Sequence, residues 1–194
     1  MTNNGAYTHL IENLQKGGIE TLALFAKKIF LQKMTYESHS SNIEFMAVET
    51  AKNLKLSSYN AELIRYAMIL HDIGKILISD RILNKPAKLT EEEFSVIKTH
   101  SINGFNLIKD INKDVAAIII QHHEKIDGSG YPYGIKDVKL ESQVISIIDV
   151  FDALIKERPY KKPFTMQNAV DLILSQSGKT WDEKVVSAFM DTLL

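Results

Sequence analysis

Apolar residues recur every three or four positions along almost the whole chain, which is the spacing of one face of an α-helix. Clear examples are Ile19, Leu22, Phe25, Ile29 and Phe30 in one segment, and Ile43, Met46, Ala47, Ala51 and Leu54 in the next. No segment alternates apolar and polar residues convincingly enough to predict a strand with one buried face. Since 194 residues with 45% hydrophobic content can bury one good core, the pattern predicts a single all-α domain.

Short turns and one longer irregular segment separate the remaining predicted helices. Thr90 followed by Glu93 is typical of a capping box at a helix start. Residues 127–139 hold Gly128, Gly130, Pro132 and Gly134, which predicts a glycine-rich loop between two helices. We expect helices at residues 61–71, 90–99, 101–108, 113–123, 141–156, 165–175 and 182–193.

Composition excludes several classes of function. The 23 basic and 24 acidic side chains nearly cancel, so nothing in the net charge favours a nucleic-acid polymer or an anionic membrane as partner. The absence of cysteine excludes disulfides, zinc–thiolate sites and iron–sulfur clusters. Any metal must therefore be held by nitrogen and oxygen ligands, which suit iron, manganese, zinc or similar ions.

The chain also lacks the sequence signs of export or membrane insertion. The first ten residues are polar, without a basic stretch that leads into an apolar run. The apolar run at residues 115–120 is far too short to cross a bilayer. We therefore expect a cytoplasmic protein.

Histidines paired with carboxylates are the strongest chemical signal. His71 and Asp72 end an apolar helix, and buried ionisable or metal-seeking groups are costly unless they are paired or coordinated. The alternative is that His71 interacts with the helix dipole while Asp72 faces water. A lone histidine on an apolar helix is usually structural, but the six histidines here include His39, His71, His100, His122 and His123.

Two further segments strengthen the case for a metal site. His122 and His123 end an apolar helix, and both can reach one ion if it lies between them near the helix end. Asp149 stands within the apolar stretch 144–150, where the alternative is a local cap or a pair with a lysine. With Asp72, these side chains supply about the number of ligands that two ions need to activate a hydroxide for attack at phosphorus.

The order of these motifs resembles a known family. His71-Asp72 with Gly74-Lys75 is similar to the HD signature of metal-dependent phosphohydrolases, and residues 122–132 read HHEKIDGSGYP, similar to the HHExxDGxGYP mark of the HD-GYP subgroup. Phrases around residues 82–86, His100, 149–154 and 158–161 also match in order. The resemblance spans residues 38–193.

This resemblance implies an all-α HD-domain helical bundle with a GYP loop. It also implies hydrolysis of cyclic di-GMP to pGpG or GMP by a metal-bound hydroxide, with iron or manganese the expected ions and zinc, nickel or magnesium as further candidates. The implied metal ligands are His39, His71, Asp72 (bridging), His100, His122, His123 and Asp149. Asp72 and Lys75 would be catalytic, with Lys75 on the scissile phosphate. Lys75, Arg158, Lys161 and Tyr131 would contact substrate.

Two departures from the family pattern affect these expectations. Members with a third metal carry Glu four residues before the first histidine, whereas this chain has Thr35 there and Glu37 on another helix face. We therefore predict two metal ions. Ala87 follows Pro86 where the family usually has glycine, which is a small change on a loop.

The resemblance also suggests how the chain is organised. We expect an N-terminal helical extension at residues 1–34 and the HD-GYP domain at residues 35–194. The extension would pack on the domain or support a homodimer. The GYP loop would be the surface for a diguanylate cyclase (GGDEF) partner.

Two other functions remain open from sequence. The same chemistry could act on another cyclic nucleotide such as cyclic GMP-AMP. Alternatively, the chain could be a catalytically weak module that binds cyclic di-GMP or a cyclase.

Overall fold

The computed structural model describes residues 17–33, 42–157 and 162–194. Within these ranges the regular structure is helical, and the β pairing recorded is one isolated bridge between Ser177 and Trp181. The all-α prediction is confirmed. The helices are α1 (Gly18–Lys33), α2 (Ile43–Asn53), α3 (Ser58–Leu70), α4 (Asp80–Leu83), α5 (Glu91–Lys98), α6 (His100–Ile108), α7 (Lys113–Ile119), α8 (Leu140–Ile155), α9 (Met166–Ser175) and α10 (Glu183–Thr192), with a 3-10 turn at Ile73–Leu77.

Side-chain caps fix where several helices begin. Ser57, Asn112 and Thr165 each accept a hydrogen bond from a backbone N–H three residues ahead, which satisfies one of the free donors of the first turn. At α5 the predicted capping box is present. The Thr90 hydroxyl accepts from the Glu93 N–H at 3.2 Å, and the Glu93 carboxylate accepts from the Thr90 N–H at 2.8 Å.

The hydrophobic core lies where α3 and α8 meet their neighbours. Helix α3 packs against α1, α2, α7 and α8, while α10 closes the other side of α2 and α8. Both central helices contribute apolar side chains from more than one face, as expected for helices surrounded by others. The fully buried members of this core include Ile64, Met68, Leu70, Ile73, Ile108, Ile119, Ile145, Ile147 and Phe189.

One predicted helix boundary is wrong. The helix expected at residues 113–123 ends at Ile119, and the chain continues in tight turns. The N–H groups of Gln121 and His122 donate to carbonyls three residues earlier, at 3.2 and 3.3 Å, rather than four. The two histidines of the motif thus belong to a turn, and both side chains can face the same side.

The predicted domain boundary falls between residues 34 and 35, outside the described ranges, and stays a prediction. In the described part, α1 packs on α3 and buries Leu22, Ala23 and Ala26. None of the described helices combines the length and the apolar character that a membrane span requires.

Candidate metal centre

Four separate segments bring the predicted ligands to one place. His71 and Asp72 follow α3, His100 is the first residue of α6, and His122 lies in the turn after α7. All four side chains are almost completely buried. Two further members, His123 in the same turn and Asp149 in α8, complete the group. Buried polar clusters of this kind are unusual unless they are paired or hold an ion.

Backbone carbonyls orient three of the imidazole rings in the same way. The Nδ1 atoms of His71, His100 and His122 lie 2.8, 2.8 and 2.6 Å from the carbonyl oxygens of residues 68, 97 and 119. A carbonyl can only accept, so each Nδ1 carries the hydrogen and donates. In a neutral ring the lone pair is therefore on Nε2, and this is the arrangement usual for histidines that bind metal.

The Nε2 atoms then face one another in a way that suits a cation. His100 Nε2 and His122 Nε2 lie 3.3 Å apart. With both Nδ1 atoms protonated, two neutral rings would direct two lone pairs at each other without a hydrogen between them. A nearby cation satisfies both lone pairs. His123 adds a third nitrogen that could bind the same ion, since one ligand atom from each of these three histidines lies within 4.8 Å of the others.

Burial keeps these histidines in the uncharged form that binds metal. It lowers the pKa of His100 below its usual value, and it lowers the pKa of His123 to about 3. Burial, together with the neighbouring imidazoles, lowers the pKa of His122 well below its usual range. These three rings are therefore neutral near pH 7, with lone pairs available to an ion.

Two carboxylates flank the histidines. Asp72 Oδ1 is 3.4 Å from His100 Nε2, while its Oδ2 is 3.5 Å from His71 Nε2 and 2.9 Å from the Lys75 ammonium. Asp149 Oδ1 lies 3.8 Å from His71 Nε2. Burial alone would raise the pKa of the Asp149 carboxyl, but the nearby imidazoles, His71 before His123, hold that pKa below its usual range. The donor set, neutral imidazoles with ionised carboxylates, fits a divalent metal.

The glycine-rich loop (residues 127–139) lies directly against this cluster. Tyr131 donates its N–H to the His123 carbonyl at 3.1 Å, and its ring stacks on the His123 ring with centres 4.6 Å apart. A Cβ at Gly130 would overlap Glu124 Cα and lie 2.5 Å from the His123 carbonyl oxygen, so only glycine allows this approach. The loop thus forms one wall of the site.

Glu124 anchors the glycine-rich loop by accepting two hydrogen bonds from its backbone. Its carboxylate is buried, with Oε1 accepting from the Tyr133 N–H at 2.6 Å and Oε2 from the Ile135 N–H at 3.2 Å. The motif places this acid next to two histidines, but sequence reasoning did not assign it a role. The sequence signal for this role was its position directly after an apolar helix. An acid that is buried there needs hydrogen-bond donors around its carboxylate.

We expect Glu124→Gln to loosen the loop. The amide has one acceptor oxygen, so its NH₂ group would face one of the two backbone N–H donors. The expected cost is about 1–3 kcal/mol of unfolding free energy, with faster amide exchange across residues 126–135. Thermal denaturation and hydrogen exchange measure both. The surface variant Glu62→Gln is the control, and equal effects of the two variants would refute the anchoring role.

The predicted site residues can now be placed. The structure brings together His71, Asp72, Lys75, His100, His122, His123, Tyr131 and Asp149, and their roles stay predictions. His39, Arg158 and Lys161 lie outside the described residues, as do Thr35 and Glu37. Sequence reasoning missed Lys98 and Trp181, which lie beside the glycine-rich loop. Neither stands in a motif that would have marked it.

Comparison with a protein-family model gives a direct assignment. The model described as "HD domain" matches residues 23–185, which is most of the chain.

Curated relatives share this region. A cyclic di-GMP phosphodiesterase of Thermotoga maritima is 38% identical over 163 residues, which cover 81% of this chain and 44% of that protein. The response regulator RpfG of Xanthomonas campestris is also named a cyclic di-GMP phosphodiesterase. It is 37% identical, and the alignment covers 88% of this chain and 47% of RpfG. A 3'3'-cGAMP-specific phosphodiesterase of Vibrio cholerae is 29% identical, and the alignment covers 94% of this chain and 36% of that protein. The chain thus spans less than half the length of these relatives.

A solved structure shows the same fold. The Bdellovibrio bacteriovorus protein Bd1817, described as a HDG"Y"P protein, superposes with a TM-score of 0.62 at 23% identity, covering 78% of this chain and 50% of that one. The family match, the motif of residues 122–132 and this fold agree with one another. The chain therefore belongs to the HD domain family, in its HD-GYP subgroup.

Proposed function

We propose that this chain is the catalytic domain of a metal-dependent phosphodiesterase that hydrolyses cyclic di-GMP to pGpG or GMP. The observation that carries the proposal is the buried cluster in which neutral imidazoles direct Nε2 lone pairs toward one another beside two carboxylates. The names of the Thermotoga and Xanthomonas relatives support the choice of substrate.

The proposed centre holds two divalent ions, with iron or manganese the expected metals. Their proposed ligands are His39, His71, Asp72, His100, His122, His123 and Asp149. Asp72 suits a bridging position because its two oxygens face different histidines, Oδ1 toward His100 and Oδ2 toward His71. When bound, such ions supply Lewis-acid activation of water and neutralise charge on the phosphodiester.

Side chains of the protein would orient the substrate. The Lys75 ammonium lies 2.9 Å from Asp72 Oδ2, so a phosphate oxygen beside Asp72 would meet a positively charged donor. Tyr131 covers His123 and would limit how the nucleotide enters. Arg158 and Lys161 are proposed to bind the outer phosphates or bases.

The proposal also covers the cellular location of the domain and its protein partners. We propose that the domain acts in the cytoplasm, where a bacterial second messenger would be turned over. The glycine-rich loop is proposed as the contact surface for a GGDEF partner, and the N-terminal extension as the contact for a homodimer.

Cyclic GMP-AMP is the second candidate substrate, favoured by two relatives that are named 3'3'-cGAMP-specific phosphodiesterases at 29% and 32% identity. The decisive assay incubates the metal-loaded chain separately with cyclic di-GMP and 3'3'-cGAMP and separates the products by chromatography. We expect pGpG or GMP from the first at a higher kcat/KM than any product from the second. The reverse preference would make the domain a cyclic GMP-AMP phosphodiesterase. Tight binding without turnover would make it a binding module.

A further inference from the structure

A cavity of about 440 Å³ opens beside the metal centre and shares His123 with it. The glycine-rich loop, α5, α8 and α9 surround it, and Trp181 lies at its wall. Its size falls in the range of small-molecule sites. Apart from His123, the residues that line the cavity are not proposed metal ligands, so its lining calls for a separate explanation.

Flat aromatic rings and apolar side chains line much of this cavity. Tyr131, Phe94 and Trp181 supply rings, while Val150 and Ile173 supply aliphatic surface. Ile173 and Trp181 are buried, whereas Phe94 is 46% exposed, so the cavity has a closed floor and an open rim. This lining suits a planar aromatic ligand better than a sugar or a bare phosphate.

The polar groups in the lining are not all open to a ligand. The indole Nε1–H of Trp181 is buried and has no hydrogen-bond partner among the described residues. This nitrogen has almost no accessible surface, so it is closed off from a ligand in the cavity, and Trp181 contributes its ring to the cavity wall. The Gln176 carbonyl oxygen is already engaged, since it accepts from the Thr180 hydroxyl at 3.1 Å.

A cation stands at the same cavity. The Lys98 ammonium lies 5.0 Å from the centre of the Phe94 ring and 5.6 Å from that of Tyr131, and no carboxylate is recorded within ion-pair distance of it in the described ranges. Aromatic faces attract a cation without neutralising it. Lys98 is therefore a charged donor that is available to an acceptor on a ligand.

We propose that this cavity binds one guanine base of the substrate while the neighbouring cluster acts on the phosphodiester. The inference rests on the proposed function and adds a determinant of base specificity. Guanine presents two acceptors, O6 and N7, on one edge, whereas adenine replaces O6 with an amino donor. The Lys98 ammonium would donate to O6 of guanine, whereas in adenine it would face the amino group, which is a like donor.

Trp181 is the single tryptophan of the chain, so intrinsic fluorescence reports on the cavity directly. The experiment titrates the metal-loaded chain with GMP, AMP and ribose 5-phosphate and follows tryptophan emission. We expect a saturable change with GMP, about tenfold weaker binding of AMP, and no change with ribose 5-phosphate. Comparing GMP with AMP isolates the base, because both carry the same phosphate.

Two lysine variants test whether the effect belongs to this cavity. Lys98→Met keeps the length of the side chain and removes the charge, so we expect most of the GMP preference to be lost. Lys109→Met is the matched control, since Lys109 lies 5.9 Å from the centre of the Phe105 ring, on α6, and does not line the cavity. We expect Lys109→Met to leave the titration unchanged.

The outcomes separate this inference from the proposed function. Hydrolysis of cyclic di-GMP with equal responses to GMP and AMP, or with none, would overturn the guanine site and leave the phosphodiesterase intact. A GMP-selective response in a chain that leaves cyclic di-GMP untouched would support the guanine site and refute the phosphodiesterase.

If Lys98→Met fails to fold, Trp181→Phe provides the second test. There we expect KM for cyclic di-GMP to rise severalfold with little change in kcat, and an unchanged KM would contradict the inference.

Discussion

Asp72→Asn is expected to abolish metal binding and hydrolysis together. The carboxylate of Asp72 contacts His100 Nε2 through one oxygen, and His71 Nε2 and the Lys75 ammonium through the other. The amide loses the negative charge and presents an NH₂ donor where an acceptor is needed. We expect kcat/KM for cyclic di-GMP to fall by at least about 10³-fold and the metal content to drop, as measured by elemental analysis of the same sample.

A matched acidic residue provides the control for this variant. Asp114 is an exposed aspartate in α7 whose carboxylate accepts from the Tyr59 hydroxyl at 2.8 Å, away from the cluster. Asp114→Asn should retain its metal and its activity. An Asp72→Asn protein that keeps a full metal complement and normal turnover would show that Asp72 is neither a ligand nor a bridge.

Gly74→Ala is expected to have the largest effect on folding. A Cβ at Gly74 would overlap the His100 carbonyl oxygen and lie 2.5 Å from the Gly104 nitrogen, and neither backbone atom can rotate away. The 3-10 turn and α6 would have to separate, and with them Asp72 and His100. We expect a loss of about 3 kcal/mol in unfolding free energy, or roughly 6–12 °C in melting temperature, together with weaker metal binding.

Gly104→Ala is the control that shows whether the loss of stability is specific to Gly74 or follows any replacement of glycine by alanine in this region. A Cβ at Gly104 would lie 3.2 Å from the Ile119 Cγ2 methyl and 3.5 Å from that of Ile73, which are side-chain atoms able to shift. Replacing a helical glycine also removes conformational freedom from the unfolded chain. We expect the melting temperature of Gly104→Ala to stay close to that of the wild type. Equal losses in the two variants would argue against a specific contact at Gly74.

Much of the fold could be predicted from the sequence because local signals decide it. The apolar stripes predicted most of the helices, and Thr90 with Glu93 predicted the capping box that the structure contains. The end of α7 could not be predicted, because the apolar run extends to Ile120 and no glycine or proline marks the point where the helix ends at Ile119. The turn aims His122 and His123 at the cluster.

The sequence predicted that the histidines and Asp72 of the described ranges would lie together, but it did not predict how they contact one another. Spacing and resemblance selected the histidines and Asp72, while the carbonyls that fix the Nδ1 hydrogens depend on backbone geometry. The anchoring role of Glu124 and the cavity at Trp181 arise from contacts between distant segments. Trp181, for example, lines the same cavity as Lys98, which is far from it in sequence.

The most direct test of the central claim counts metal ions and products in one sample. The chain is purified without oxygen or chelator, its metals are quantified, and the same sample is incubated with cyclic di-GMP before and after chelation and metal return. We predict about two ions per chain, formation of pGpG or GMP, loss of activity on chelation and recovery when iron or manganese is returned. A chain that binds little metal even after loading, or that leaves cyclic di-GMP intact while fully metallated, would contradict the account.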